Sequence, residues 1–124
     1  MTRIAVVGTG RWGKNHVRTL ARIPDAEIVA LCDTSPEALA HACDLAPSAR
    51  PVAAYDDLLE DRTVEAIILA TPSATHGAMA IAALEAGKHV FVEKPLALNL
   101  DDALAATAAA DRRGLILMVG HLMV

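Results

Sequence analysis

Short, unbroken apolar runs alternate along the chain with longer stretches in which apolar residues recur at helical spacing. The runs are Arg3 to Val7 (RIAVV), Glu27 to Cys32 (EIVALC), Ala66 to Ala70 (AIILA), His89 to Val92 and Leu115 to Val119 (LILMV), with a weaker candidate at Ala49 to Ala53. Runs of this length without polar alternation suit strands buried on both faces. The intervening helices are expected over Lys14 to Arg22, Pro36 to about Cys43, His76 to Ala86 and Asn99 to Arg112 or Arg113. Ser35, Pro36 and Asn99 supply start signals, while Pro24, Gly87 and Gly114 supply stops. Tyr55-Asp56-Asp57 reads as a turn. Alternating strands and helices predict an α/β fold, a Rossmann-type doubly wound parallel sheet in three layers, with right-handed crossovers and strand order 3-2-1-4-5-6.

Composition sharpens this picture. Hydrophobic residues make up 54% of the chain and aromatics only 2%, so the core must be built from Ala, Val, Ile and Leu. With 124 residues there is room for one domain, 1 to 124, and not for a second. A net charge of −4 and no polybasic cluster give no electrostatic footprint for nucleic acid or an anionic membrane. The apolar run at the start is too short for a signal peptide or a span, which leaves the cytoplasm as the expected location. Cys32 and Cys43 have neither metal-ligand spacing nor a disulfide framework, and read as small core residues.

The chemistry concentrates where the first strand breaks into Gly8-Thr9-Gly10-Arg11-Trp12-Gly13. This GxGxxG pattern between a strand and a helix is the dinucleotide-binding arrangement. Gly8 suits a tight turn, Gly10 leaves room for a pyrophosphate, and Gly13 permits close helix–strand packing. A diphosphate there meets free N–H groups at the positive end of a helix dipole. Asp33, which ends the second strand 20 positions beyond Gly13, can accept hydrogen bonds from the adenosine ribose. Its carboxylate would repel a 2′-phosphate, which favours NAD over NADP. The plainer role for Asp33 is to start the turn into the next helix. His16, in the first turn after the loop, reads as a partly exposed helix histidine rather than a site residue.

Together GTGRWG, Asp33, TPSATH, GKHVFVEKP and the closing VGH resemble the N-terminal domain of the Gfo/Idh/MocA oxidoreductases, and within them the opening GTGRWGKNH is most similar to sugar-nucleotide dehydrogenases. The resemblance implies an NAD(P)-dependent dehydrogenase exchanging a hydride with a secondary alcohol carbon of a sugar, sugar nucleotide or cyclitol. It assigns Lys94 to the catalytic cluster, where an ammonium can stabilise charge developing on the reacting oxygen. It implies a cis Lys94-Pro95 bond, places Glu93 near the nicotinamide, and sends Thr71, Pro72 and Ser73 along the cofactor, with Ser73 standing where many members have asparagine. His76 is a further cofactor-side candidate, set against a role in the first helical turn capped by Ser73 or Thr75. His121 could face the same crevice.

Such enzymes carry a second α/β domain that supplies substrate contacts and the oligomer interface. The expectation is therefore that the substrate domain is missing from this chain, that the full-length protein is a homo-oligomer, and that residues 1 to 124 alone do not turn over. Two other readings compete. One is a non-catalytic dinucleotide-sensing module, which needs no reactive lysine; the other is a methyltransferase binding an adenosyl sulfonium cofactor.

Overall fold

Every apolar run becomes a strand of one six-stranded sheet in the computed structural model, which describes residues 1–120. The strands are β1 (Thr2–Val7), β2 (Ala26–Cys32), β3 (Arg50–Val52), β4 (Ala66–Leu69), β5 (His89–Glu93) and β6 (Leu117–Gly120). Their order is β3-β2-β1-β4-β5-β6 and all neighbours run parallel. The helices are α1 (Arg11–Leu20), α2 (Pro36–Leu45), α3 (Tyr55–Glu60), α4 (His76–Glu85) and α5 (Leu100–Arg113). This is the doubly wound α/β architecture that the hydrophobic pattern predicts.

Successive strand residues point to opposite faces, so one strand feeds two cores. Ile4, Val6, Leu31 and Ile68 join Val17 and Leu20 of α1 and Ala42 of α2 on one side. Ala5, Val7, Cys32, Ile67 and Leu69 join Leu58 of α3 and the alanines of α4 and α5 on the other. Burying a Val, Leu or Ile side chain is worth about 1.5–3 kcal/mol, and both faces of the central strands are filled with them. The alanine content of α4 and α5 now has a packing reason. Ala80 and Ala83 on α4 and Ala106, Ala109 and Ala110 on α5 are all buried, and small side chains let the two helices lie close on the sheet. Gly77 continues that seam, since a Cβ there would come within 3.1 Å of Asp102 Cβ.

Local chemistry sets the boundaries. Ser35 Oγ accepts from Ala38 N at 3.3 Å to cap α2, and Asn99 Oδ1 accepts from Asp102 N at 2.8 Å to cap α5. Gly114 closes α5 in the left-handed region at φ 65°. Three expectations are corrected. Helix α1 starts at Arg11, not Lys14, because Arg11 to Gly13 of the glycine pattern form its first turn. Tyr55-Asp56-Asp57 is the first turn of α3, favoured by two acids at its positive end and by burial of Leu58. Strand β6 begins at Leu117 because Leu115 N is still returning a bond to Ala110 O of α5, at 2.9 Å. Among the described residues no helix is long and apolar enough to cross a membrane.

Candidate functional site

The carboxyl ends of β1, β2, β4 and β5 meet along one edge of the sheet, where a doubly wound fold leaves its crevice. Gly8 turns the chain sharply at φ 89°, and a Cβ on it would lie 2.6 Å from Ala70 O at the end of β4. Gly13 sits under that turn: a Cβ would come 1.7 Å from Gly8 O. Gly10 differs, with nothing within 4 Å of its Cβ position. It is the N-cap of α1, has no side-chain cap, and the first turn contains no acidic residue. The helix therefore presents its positive end to open space in front of Gly10, the environment an anion needs.

Beside this loop lies a cleft of about 320 Å³ bounded by Gly8, Gly10, Asp33, Thr34, Tyr55 and Thr71. Asp33 is held rigidly at its rim. Its Oδ2 accepts from Thr9 N at 2.7 Å and from Thr9 Oγ1 at 2.9 Å, and its Oδ1 accepts from Ser35 N at 2.8 Å. Most of the acceptor capacity of the carboxylate is thus taken up by the protein, and the group is held in place at the edge of the cleft. Burial pushes the Asp33 carboxyl up, but N–H bonds from Ser35 and Thr9, the Thr9 hydroxyl and the Thr34 N–H outweigh it, so the net shift is downward. The opposite wall is Tyr55, whose hydroxyl donates to Met79 O at 2.8 Å. Beneath lies Cys32, whose thiol is pushed up to about 11 by burial first and then by the charges of Asp33 and Asp57.

A second cleft of about 400 Å³ continues from the first across Ala70, Thr71 and Pro72 and ends at Glu93 and Lys94, with Trp12 and His76 on its sides. The Lys94–Pro95 peptide is cis, as the EKP resemblance implies, and Lys94 is exposed in the cleft. His76 is 1% exposed. Its Nε2 lies 2.8 Å from Thr71 O and its Nδ1 2.7 Å from Pro95 O, so the ring bridges the segment after β4 to the segment after β5. Neither Ser73 nor Thr75 caps its helix. Thr75 Oγ1 instead donates to Pro72 O at 2.6 Å.

The structure gathers Gly8, Gly10, Asp33, Thr71, Pro72, Ser73, Trp12, His76, Glu93 and Lys94 along these two joined clefts. Thr9 is fully buried and spends its hydroxyl on Asp33. Arg11 leans over the Trp12 ring, 5.9 Å from its centroid. His121 lies outside the described residues. His16 is the partly exposed helix histidine expected of it, but it also makes a long-range contact that the sequence did not announce. Its Nε2–H donates to Glu93 Oε1 at 2.5 Å, its side chain is 18% exposed, and its ring meets Phe91 edge-on at 5.5 Å. Tyr55, expected only in a turn, and Met79 had no place in the expected site, because the wall they form is assembled from α3 and α4, distant in the chain.

A parallel sheet whose first strand-to-helix turn carries this glycine cradle, with an acid at the end of β2, defines a dinucleotide-binding Rossmann domain. Residues 2–121 match the family described as "Oxidoreductase family, NAD-binding Rossmann fold", GFO_IDH_MocA, and the chain belongs to that family. It is 38% identical over 122 residues to scyllo-inositol 2-dehydrogenase (NAD(+)) of Bacillus subtilis, an alignment covering 97% of this chain and 35% of the relative. GenD2 from gentamicin A biosynthesis, solved in complex with NAD, is similar at TM-score 0.91 and 34% identity, over 96% of this chain and 34% of that one. KijD10, a 3-ketoreductase from Actinomadura kijaniata solved with NADP and TDP-benzene, is similar at TM-score 0.89 and 30% identity, over 96% and 37%. The chain thus spans about a third of the length of these relatives.

Proposed function

We propose that this chain is the cofactor-binding half of an NAD-dependent dehydrogenase acting on a secondary alcohol of a sugar, sugar nucleotide or cyclitol, completed by a second domain that holds the substrate. The observation that carries the reading is the continuity of the two clefts. One runs from the Gly10 cradle to Asp33 and the other from Thr71 to Lys94, so an extended dinucleotide laid along them places its adenosine at one end and its nicotinamide at the other.

The residues divide the work. The N-terminus of α1 faces the diphosphate, and Gly10 allows the backbone to approach it. The Asp33 carboxylate, at the edge of the first cleft, accepts from a ribose hydroxyl. Because the carboxylate is pinned by Thr9 and Ser35, it cannot swing away from a 2′-phosphate, which supports a preference for NAD. Thr71 and Pro72 form the shared floor, and His76 keeps that floor in register with the Lys94 segment through its two carbonyl contacts. Lys94 acts at the oxygen of the reacting carbon: in the reducing direction its ammonium gives that oxygen a proton as the hydride reaches the carbon, and in the oxidising direction its neutral amine takes the hydroxyl proton as the hydride leaves. A bound nicotinamide supplies or accepts the hydride.

The test is hydride transfer, followed by nicotinamide absorbance, in a polypeptide that carries this domain together with its second domain. On a panel of cyclitols and sugar nucleotides, Lys94→Met should lower kcat by about 10²–10⁴-fold, the range for loss of a positioned acid or base, while leaving NADH affinity within about twofold. An unchanged kcat refutes the role of Lys94 and favours a sensing module that has no use for a reactive lysine.

A further inference from the structure

We propose that His16 is a positioning residue that fixes the Glu93 carboxylate against the nicotinamide end of the cleft and so sets the relative affinity for oxidised and reduced cofactor; the inference rests on the dinucleotide reading given above. The two residues are 77 positions apart in the chain and meet through Nε2–H···Oε1 at 2.5 Å. Both side chains are largely buried, at 18% and 14% exposure. The histidine is fixed from behind, since its ring packs edge-on against Phe91 of β5, and Phe91 in turn lies flush on Gly120 of β6, where a Cβ would come 2.6 Å from the ring. His16 does not border the cleft, whereas Glu93 does, next to Lys94. His16 therefore acts through Glu93 and not on a ligand.

The consequence follows from charge. The oxidised nicotinamide ring is a cation and the reduced ring is neutral, so a carboxylate beside it favours the oxidised form by Coulomb attraction in a partly desolvated site. How much it favours that form depends on distance, and distance depends on whether the carboxylate is held. A hydrogen bond from a ring wedged on Phe91 holds it. The same bond ties α1, whose N-terminus forms the diphosphate cradle, to the end of β5, immediately before Lys94. The two ends of the dinucleotide site are thus connected by one side-chain pair.

The experiment titrates the 124-residue chain calorimetrically with NAD⁺ and with NADH and reads the ratio of the two affinities in wild type, Glu93→Gln, His16→Asn and His16→Gln. A glutamine amide reaches the position of Nε2 and can still donate to Glu93; an asparagine amide cannot. Glu93→Gln should shift the ratio toward NADH about tenfold, equivalent to about 1.4 kcal/mol. His16→Asn should shift it the same way about three- to fivefold, and His16→Gln should restore it to within about twofold of wild type. Should His16→Asn fail to melt cooperatively, His16→Phe, which keeps an aromatic ring on Phe91, takes its place with the same expected shift. Weakening of both ligands equally, with the ratio unchanged, would show a purely structural histidine and overturn the proposal. A shift toward NAD⁺ on losing His16, or no rescue by glutamine, would also overturn it. Wild type that binds neither ligand would refute the dinucleotide reading itself, and this inference with it.

Discussion

Gly10 and Gly13 stand three residues apart in the same pattern, yet alanine at each should have opposite consequences. At Gly13 an added Cβ would sit 1.7 Å from Gly8 O and 2.7 Å from Gly8 C, where Cβ contacts below 3.0 Å essentially do not occur. Relief requires the helix and the turn to separate by more than an ångström. The turn cannot yield easily, because Gly8 is itself wedged against Ala70 O and its N–H is bonded to Cys32 O at 2.8 Å. Loss of the α1 packing that buries Val17 and Leu20 should cost about 3 kcal/mol or more, since backbone-level overpacking lies at the upper end of single-residue effects. For a domain of this size that lowers the melting temperature by about 10 °C. At Gly10 the Cβ position is empty and the backbone is extended at φ −71°. Reduced entropy of the unfolded chain, about 0.4–1 kcal/mol in favour of alanine, roughly offsets the weaker N-cap. Gly10→Ala should therefore melt within about 3 °C of wild type, yet the methyl occupies the space where a diphosphate would lie. Binding of NADH should weaken at least about tenfold, or 1.4 kcal/mol. Thermal melts by circular dichroism and NADH titration by calorimetry read the two effects separately. A Gly13→Ala protein as stable as wild type, or a Gly10→Ala protein that binds NADH normally, would refute this division of roles.

Two further outcomes follow from the electrostatics of the site. Asp33 has its folded-state pKa below the usual 3.8, so as pH falls the unfolded chain takes up the proton first; the carboxylate's contribution to stability is full above the unfolded pKa and is lost as pH falls through the lower folded-state pKa. Comparing acid melts of wild type with Asp33→Asn isolates this group from Asp61, which is lowered as well, and the variant should show a flatter acid limb and a loss of about 1–3 kcal/mol at neutral pH, because its amide faces N–H donors. The buried Cys32 thiol, pushed up to about 11, should react with a disulfide reagent at pH 8 far more slowly than the half-buried Cys43, and bound NADH should slow Cys32 further; equal rates for both would contradict the burial assigned to the floor of the first cleft.

How much of this was legible beforehand depended on the distance over which each feature is encoded. Strand positions, sheet order and the glycine cradle are written in short apolar runs and a six-residue pattern, and all of them appear in the structure. Boundaries shifted where tertiary contacts overrode a local signal: Arg11 to Gly13 joined α1, and Tyr55 entered a helix because Leu58 is buried and the Tyr55 hydroxyl finds Met79 O. The exposure and helix position of His16 were legible, but its partner was not, because nothing near it in sequence announces Glu93 and the pairing exists only once α1 is laid against β5. For His76 the sequence set a cofactor-side role against a capped helix start, and neither reading named its two carbonyl partners, which come from segments joined only by the crossover through α4. Asp33 shows the reverse: its position was legible from spacing, but not that Thr9 and Ser35 consume most of its lone pairs.

Every role proposed for these residues requires that a nicotinamide dinucleotide bind in the crevice, and the chain's single tryptophan, Trp12, borders that crevice. Titrating residues 1–124 with NADH, NADPH and an adenosyl sulfonium cofactor while following Trp12 fluorescence tests it directly. Saturable quenching by NADH, weaker for NADPH and absent for the sulfonium compound, is the predicted result. Saturation by the sulfonium cofactor alone, or no response to any of the three with calorimetry in agreement, would contradict it.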